Sequence, residues 1–162
     1  MPDVFTKAKR SQVMSRIRGR GNRDTELAVR GLFRRHGITG WRRHERLTVE
    51  SRRPRVERRK RAGARPSSLV PRLTVRPDFV FPKLRLAVFV DGCFWHGCPQ
   101  HCNQPANNRA FWRRKLAANK ARDRLVTRTL RRIGWRVVRI WEHELARKRE
   151  AQLIRRIRQA LN

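Results

Sequence analysis

An α/β fold, a small central mixed sheet flanked by helices, is what this chain predicts, on three observations. Two runs rich in Val and Phe, Asp78 to Phe81 and Leu86 to Val90, are separated by Pro82 and Lys83, as in neighbouring strands joined by a tight turn. Asn22 to Gly37 and Asn108 to about Arg132 space their apolar residues as helices do. A third strand, WRVVRIW over 135–141, precedes a helical stripe of Leu153, Ile154, Ile157 and Leu161. With 162 residues the chain supports one domain with a real core, spanning 1–162, and is too short for two comfortable ones.

In chain order, residues 1–21 are basic with few apolar positions (Val4, Phe5, Val13, Met14, Ile17) and read as an arm or short helix. In NRDTELAVRGLFRRHG, Asp24 and Thr25 are candidate N-caps, Leu27, Ala28, Leu32 and Phe33 form the apolar face, and Gly37 is the stop. Residues 42–75 form an Arg-rich insert. Within it, 51–66 hold eight basic residues against one acidic, two prolines and no apolar period. Such a composition cannot bury enough surface to order itself, so a loop, disordered without nucleic acid, is expected. Asp78 starts the first strand of the hairpin and Asp91 ends the second. In the long helix Phe111, Trp112, Leu116, Val126, Leu130 and Ile133 mark the apolar side, and Gly134 the end. Lys115, Asn119 and Asp123 recur every four residues and so line one face. Trp135 and Trp141 are expected in the core.

Forty-three Lys and Arg against twelve Asp and Glu leave a net charge of +31, a self-repulsion best tolerated beside a polyanion. Nucleic acid is the expected partner. No apolar run approaches the roughly 20 residues of a membrane-spanning helix, and MPDVFTKAKR has no secretory pattern. No membrane partner is expected, and a cytoplasmic, nucleoid-associated protein is.

All three cysteines fall in DGCFWHGCPQHC, from Asp91 to Cys102, which in a reducing compartment points to metal or reactivity before disulfides. Structural zinc takes four Cys or His ligands in a tetrahedron. Cys93, Cys98 and Cys102 supply three, and the fourth is His101, His96 or, favoured by geometry, His143 brought back by EHEL. Three free thiols are the bland alternative.

Asp78 and Asp91 lie at strand ends that pairing brings close. Asp78 with a backbone carbonyl near Val90 would make a minimal seat for Mg²⁺, and His96 could deprotonate a water near neutral pH. The bland readings are a capping Asp78 and a surface or zinc-binding His96. Phe94 and Trp95 sit together in a loop that has no single inward face, which suggests a wedge or stacking platform for bases. Trp112, at helical spacing from Leu116, reads as core.

Five segments in order resemble the very-short-patch-repair (Vsr) DNA mismatch endonucleases: MSRIRGRGNRDTE (14–26), RPDFVF (76–81), AVFVDGCFWHGCPQHC (87–102), FWRRKLAANKARD (111–123) and GWRVVRIWEHEL (134–145). The resemblance implies a restriction-endonuclease-like fold with a structural zinc site. It implies a Mg²⁺-dependent nick 5′ to the thymine of a T:G mismatch in double-stranded DNA, left by deamination of 5-methylcytosine. It also implies a functional link to a cytosine-5 methyltransferase and to mismatch-repair proteins.

Carried over, Asp78 matches the metal-binding aspartate, with the Val90 carbonyl as a second Mg²⁺ contact. His96 matches the catalytic histidine, Asp123 the supporting carboxylate and Glu26 an acidic position near the scissile phosphate. Cys93, Cys98, Cys102 and His143 match the zinc positions, with His101 as the alternative to Cys102. Met14, Phe94, Trp95 and Trp112 match the side chains inserted beside the mismatch, and Lys115 and Asn119 are expected DNA contacts on the helix face of Asp123. Two departures stand out. Asp91 occupies a position that is His in some members, so it either takes part in proton transfer or only shapes the metal site. The 42–75 insert is longer and richer in Arg than the usual connection. Two other readings remain: a zinc-stabilised DNA-binding module without catalysis, and a restriction-type nuclease acting on intact methylated sites.

Overall fold

The computed structural model describes residues 12, 22–50, 72–102, 105 and 107–162. The basic arm 1–21 apart from Gln12, Met14 with it, and residues 51–71 of the Arg-rich insert lie outside the described residues.

The first helix, α1 (Ala28–Arg35), is entered through a wide π-helical turn, Arg23–Leu27. Its cap is Asn22, whose side-chain oxygen accepts the Asp24 N–H at 2.9 Å. Asp24 and Thr25, the expected caps, lie inside that turn, because the wider coil moves the cap to Asn22, two residues before Asp24. Gly37, at φ +64°, ends the helix in the left-handed region that side chains avoid.

The ends of the Arg-rich insert depart from the expected loop. Strand β1 (Arg42–Arg43) joins the main sheet, and β2 (Leu47–Glu50) pairs with β3 (Arg72–Val75) as an antiparallel hairpin, Leu47 opposite Val75 and Val49 opposite Leu73. The physical reason is a period of two: in LTV at 47–49 and again at 73–75, the outer residues of each triplet are apolar and the threonine between them points to the other face. The abundance of Arg masked that short alternation.

Strands β4 (Phe79–Phe81) and β5 (Leu86–Asp91) are antiparallel and joined by a 3₁₀ turn at Pro82–Leu84. From β5 the chain passes through the cysteine loop into α2 (Arg109–Arg132) and returns as β6 (Arg136–Trp141), parallel to β5. The sheet order is β1-β4-β5-β6, so it is mixed. Two short 3₁₀ turns, Glu142–Leu145 and Arg147–Arg149, lead into α3 (Glu150–Leu161).

Each face of the sheet is covered, which explains why β5 reads as an almost unbroken apolar run. On one side Phe79, Phe81, Leu86, Val88 and Ile140 pack against Val29, Leu32 and Phe33 of α1 and Leu153, Ile154 and Ile157 of α3. On the other, Ala87, with Phe89 and Val137 beside it, packs against Val126 and Leu130 of α2 and Val49 and Val75 of the β2-β3 hairpin. Trp135, at the rim of the second cluster, and Trp141, stacked 6.4 Å from His143, are half-buried and not in the interior expected for them. The large interior rings are phenylalanines, with Phe33 at 5.1 Å from Phe79 and 5.9 Å from Phe81.

Phe33 therefore ties α1 to the sheet. Phe33→Ala is expected to destabilise the protein by about 3–5 kcal/mol through lost burial and a residual cavity, read as a lowered midpoint in chemical denaturation.

Candidate active site and metal centre

Side-chain parity along the strands decides what faces α2. In β5, residues 87, 89 and 91 point one way, and in β6 residues 137 and 139 point with them. Asp91 and Arg139 thus emerge on the α2 side, opposite Asp123. Together with Asp78, Val90 and His96 they line a cleft of about 480 Å³ that also reaches Arg76, Asn119 and Arg122.

Asp78 sits one residue before β4 and its Oδ2 accepts the Val90 N–H across the sheet at 2.8 Å. Burial pushes its pKa up, the Val90 hydrogen bond works the other way, and the charges of Glu26 and Asp91 add to the rise. Beside it, Glu26 is only 3% exposed and is ion-paired to Arg43, with the Arg43 Nε at 2.7 Å and the His44 Nε2 at 2.8 Å. Ligand atoms of Glu26, His44 and Asp78 all lie within 4.8 Å of one another, a set able to hold a cation.

His96 donates its Nδ1–H to Asp123 Oδ2 at 2.7 Å, with Asp91 Oδ1 farther off at 3.5 Å. Burial alone would lower the His96 pKa, but the Asp123 hydrogen bond and the fields of Asp91 and Asp123 outweigh it and raise the value. Asp123 moves oppositely: burial raises its pKa, and His96 and Arg139 bring it below the ordinary value. Asp91, 2% exposed, is gripped by Arg139 through two 2.6 Å hydrogen bonds. A carboxylate so engaged is occupied as an ion-pair partner, which favours the shaping role over proton transfer.

The cysteine loop between β5 and α2 folds as successive turns, with main-chain bonds from Cys98 to Cys93 at 2.9 Å and from Cys102 to Cys98 at 3.1 Å. Gly97 takes φ +61° where the loop passes close to Lys120 of α2. Glu142, in the turn after β6, accepts the Cys93 N–H at 3.0 Å and brings His143 under the loop. Cys93, Cys98, His101 and His143 converge with all four donor atoms within 4.8 Å. Cys102, the expected third loop ligand, is absent from that group, and its Sγ points to the Phe94 carbonyl at 3.7 Å. The Cys102–Cys98 main-chain bond closes a turn that aims the His101 ring, and not the Cys102 thiol, at the site. Burial raises the Cys93 thiol pKa, whereas burial and neighbouring His101 lower that of His143.

The loop aromatics form one cluster with the start of α2. Phe94 lies 5.1 Å from Trp95 and 5.2 Å from Trp112, and Phe111 is 5.2 Å from Trp112. Trp112 is 9% exposed and serves as the floor, in keeping with its spacing from Leu116, whereas Phe111 is 51% exposed. Asn119 donates to the Trp95 carbonyl at 2.8 Å, holding the loop, and Lys115 is exposed outside the cleft lining. Arg139 and His44 were not singled out from the sequence, and Phe111, expected on the apolar side of the helix, is exposed instead. For Arg139 a signal exists: unlike Arg136 at the start of the strand, it sits mid-strand between Val138 and Ile140, where a charge needs a partner.

The family described as "DNA mismatch endonuclease Vsr" matches residues 60–104, a span containing Asp78, His96 and the three cysteines. The type II nicking enzyme V.XorIIP of Xanthomonas oryzae pv. oryzae is 33% identical over 147 residues, 90% of this chain and 88% of that protein. The chain belongs to the Vsr family. Other Vsr relatives are more similar over shorter stretches. The type II nicking enzyme V.NaeI of Lentzea aerocolonigenes is 54% identical over 70 residues, 43% of this chain and 42% of that protein. The DNA mismatch endonuclease Vsr of Escherichia coli K12 is 44% identical over 70 residues, 41% of this chain and 44% of that protein. Among the described residues no helix is long and apolar enough to cross a membrane.

The His96–Asp123 pair has a pH signature. By NMR titration His96 is expected to titrate above the ordinary 6.5, and Asp123→Asn to bring it down. Because the folded-state pKa of His96 is raised, the stability its protonation contributes is present below the unfolded value and is lost as pH rises through the folded value, while the lowered pKa of Asp123 sets the acid limit below which the pair is lost.

Proposed function

We propose that the protein is a Mg²⁺-dependent endonuclease that nicks double-stranded DNA 5′ to the thymine of a T:G mismatch, such as deamination of 5-methylcytosine leaves. The observation that carries this reading is that Asp78 and the His96–Asp123 couple line one cleft in a chain of the Vsr family. The net charge of +31 supplies the sequence-independent attraction to phosphates.

The residues fit a hard cation. Asp78 is a partly buried carboxylate whose ligand atoms lie within 4.8 Å of those of Glu26 and His44, and burial, which raises its pKa, disfavours leaving its charge without a counter-ion. Asp78 would hold it, with the Val90 carbonyl as the second contact and Glu26 and His44 adjoining. When bound, Mg²⁺ supplies Lewis-acid stabilisation of charge developing on the phosphate. The protein's own steps are positional and protolytic. Asp123 holds the Nδ1 side of the imidazole, so Nε2 is the nitrogen left to take a proton from the attacking water as it adds to phosphorus and one P–O bond of the strand breaks. Arg76 and Arg122, at the cleft walls, are placed to draw the backbone in.

Phe94 and Trp95, supported on Trp112 and flanked by exposed Phe111, form the wedge. Unstacking costs a few kcal/mol per step and less beside a T:G pair than a matched one, so an aromatic wedge on the loop that carries His96 links distortion to cutting.

For the second metal, a tetrahedral zinc with ordinary Zn–S and Zn–N lengths sets sulfur and nitrogen donors about 3.5 Å apart. Here His143 Nδ1 is 3.3 Å from Cys93 Sγ and 3.6 Å from Cys98 Sγ, and His101 Nδ1 is 3.8 Å from Cys98 Sγ. This spacing supports a structural zinc on Cys93, Cys98, His101 and His143. A link to a cytosine-5 methyltransferase and to mismatch-repair proteins, and a place beside the nucleoid in the cytoplasm, accompany the reading.

Paired duplexes differing only by T:G against C:G test the function in single-turnover nicking with and without Mg²⁺. His96→Ala is expected to lower the rate by ~10²-fold or more. Asp78→Ala is expected to abolish nicking while keeping preferential binding to T:G. Trp95→Ala is expected instead to weaken discrimination and leave the metal requirement in place. Wild-type protein that nicks neither duplex favours a binding module, and cutting of both strands of matched DNA favours a restriction-type nuclease.

Metal analysis separates the zinc ligands. One zinc per chain is expected, retained by Cys102→Ser and lost by His101→Ala, with the thermal midpoint falling alongside the loss because the site joins loop to sheet. Zinc lost from Cys102→Ser would reverse the assignment.

A further inference from the structure

Arg139 makes more contacts in the cleft than any role assigned so far requires. Its Nε and Nη2 meet the two oxygens of Asp91 at 2.6 Å each. Nη2 also lies 2.9 Å from Asp123 Oδ1, and Nη1 3.5 Å from the Asp123 main-chain carbonyl. The guanidinium carbon stands 5.0 Å from the centre of the Phe89 ring, which fixes its plane. One side chain of β6 thereby joins the end of β5 to the middle of α2.

From these contacts we infer that Arg139 is a positioning residue that decides which carboxylate holds His96. Two carboxylates stand near the same imidazole nitrogen, Asp123 at 2.7 Å and Asp91 at 3.5 Å. Arg139 occupies both oxygens of Asp91 and so withdraws it from the competition. It takes only the Oδ1 of Asp123, leaving Oδ2 for His96. The fork geometry of the guanidinium is what permits this division, since a Lys ammonium is a point charge that cannot grip one carboxylate in two places and a second in another. Without Arg139, Asp91 and Asp123 repel each other and both can draw the ring, so Nε2 loses its single position. A displacement of about 1 Å at a reacting group can cost ~10²-fold in rate.

The inference rests on the proposed nicking reaction for its kinetic consequence, but the orientation of His96 is observable without activity. Two variants of the full chain test it. Arg139→Lys keeps the charge and removes the fork. The pair Asp91→Asn/Arg139→Gln removes the competing carboxylate together with the residue that restrains it, so that no lone carboxylate is left in the interior. In folded Arg139→Lys the expected result is DNA affinity within about twofold of wild type with a single-turnover nicking rate lowered ~10- to 10²-fold. In ¹⁵N-edited NMR of the imidazoles, the hydrogen-bonded Nδ1–H of His96, expected to be protected from solvent exchange in the wild type, is expected to lose that protection in Arg139→Lys and to keep it in the double variant, where Asp91 no longer competes. A bystander ion pair would change the thermal midpoint alone.

Folded Arg139→Lys that keeps wild-type rate and the protected Nδ1–H overturns the inference, and so does a folded double variant that loses that protection. So does loss of rate with the His96 signal unchanged, which would assign Arg139 to DNA contact, and so does failure of both variants to fold, which would make the network structural. Should wild-type protein nick neither duplex, the function proposed above fails, and the NMR comparison still decides the role of Arg139.

Discussion

Strand β5 is buried on both faces, so its register cannot slip by one residue without exchanging Leu86 and Val88 for Ala87 and Phe89 against opposite sets of neighbours. The first pair fits the phenylalanine-rich side under α1 and α3, and the second the side under α2. That constraint carries past the apolar residues to Asp91, which shares parity with Ala87 and Phe89 and must open toward α2. The parallel β6, paired with Asp91 opposite Trp141, brings Arg139 to the same side. Asp123 is set by helical periodicity, one turn before Val126 on the buried stripe of α2. Three residues from three elements meet because the core allows no other register.

The electrostatics of the cleft divide its acids by partner. Asp91 is neutralised in place by Arg139, and Glu26 by Arg43 with His44 beside it. Asp123 is shared between Arg139 and His96, and those partners hold its pKa down. Asp78 differs, because burial and neighbouring acids outweigh its one strong hydrogen bond and raise its pKa.

Much of this was legible because it rests on strong local patterns. The β4-β5 hairpin, the long α2, strand β6 and α3 all announce themselves by apolar period, and their observed bounds differ from the expected ones by a residue or so. The four-residue spacing of Asn119 and Asp123 placed both beside the cleft, as helical geometry requires. What was not legible had weaker signals. The β2-β3 hairpin is two apolar positions per strand embedded among arginines, and composition overrode alternation. The choice between His101 and Cys102 depends on how a tight turn aims adjacent side chains, a matter of a few torsions that spacing cannot resolve. Arg139 depended on a buried partner contributed from another strand, and Asn119, expected to contact DNA, spends its amide on the Trp95 carbonyl.

The cysteine loop is where these constraints meet. Its first residues are fixed by the end of β5, its middle by Asn119 of α2, and its base by Glu142 and His143 after β6. A loop tied to three elements loses little further entropy when it meets a ligand, unlike a free loop of the same length. His96 and Trp95 are neighbours on it with their side chains held by different partners, the imidazole by Asp123 and the indole by Phe94 and Trp112. Any force that DNA applies to the aromatic cluster therefore reaches the His96 backbone directly, through one peptide bond. His96 in turn is restrained at its ring by a carboxylate that Arg139 anchors to the sheet. In the proposed function the aromatic cluster can yield while the imidazole stays registered on Asp123, as a reaction triggered by DNA distortion requires.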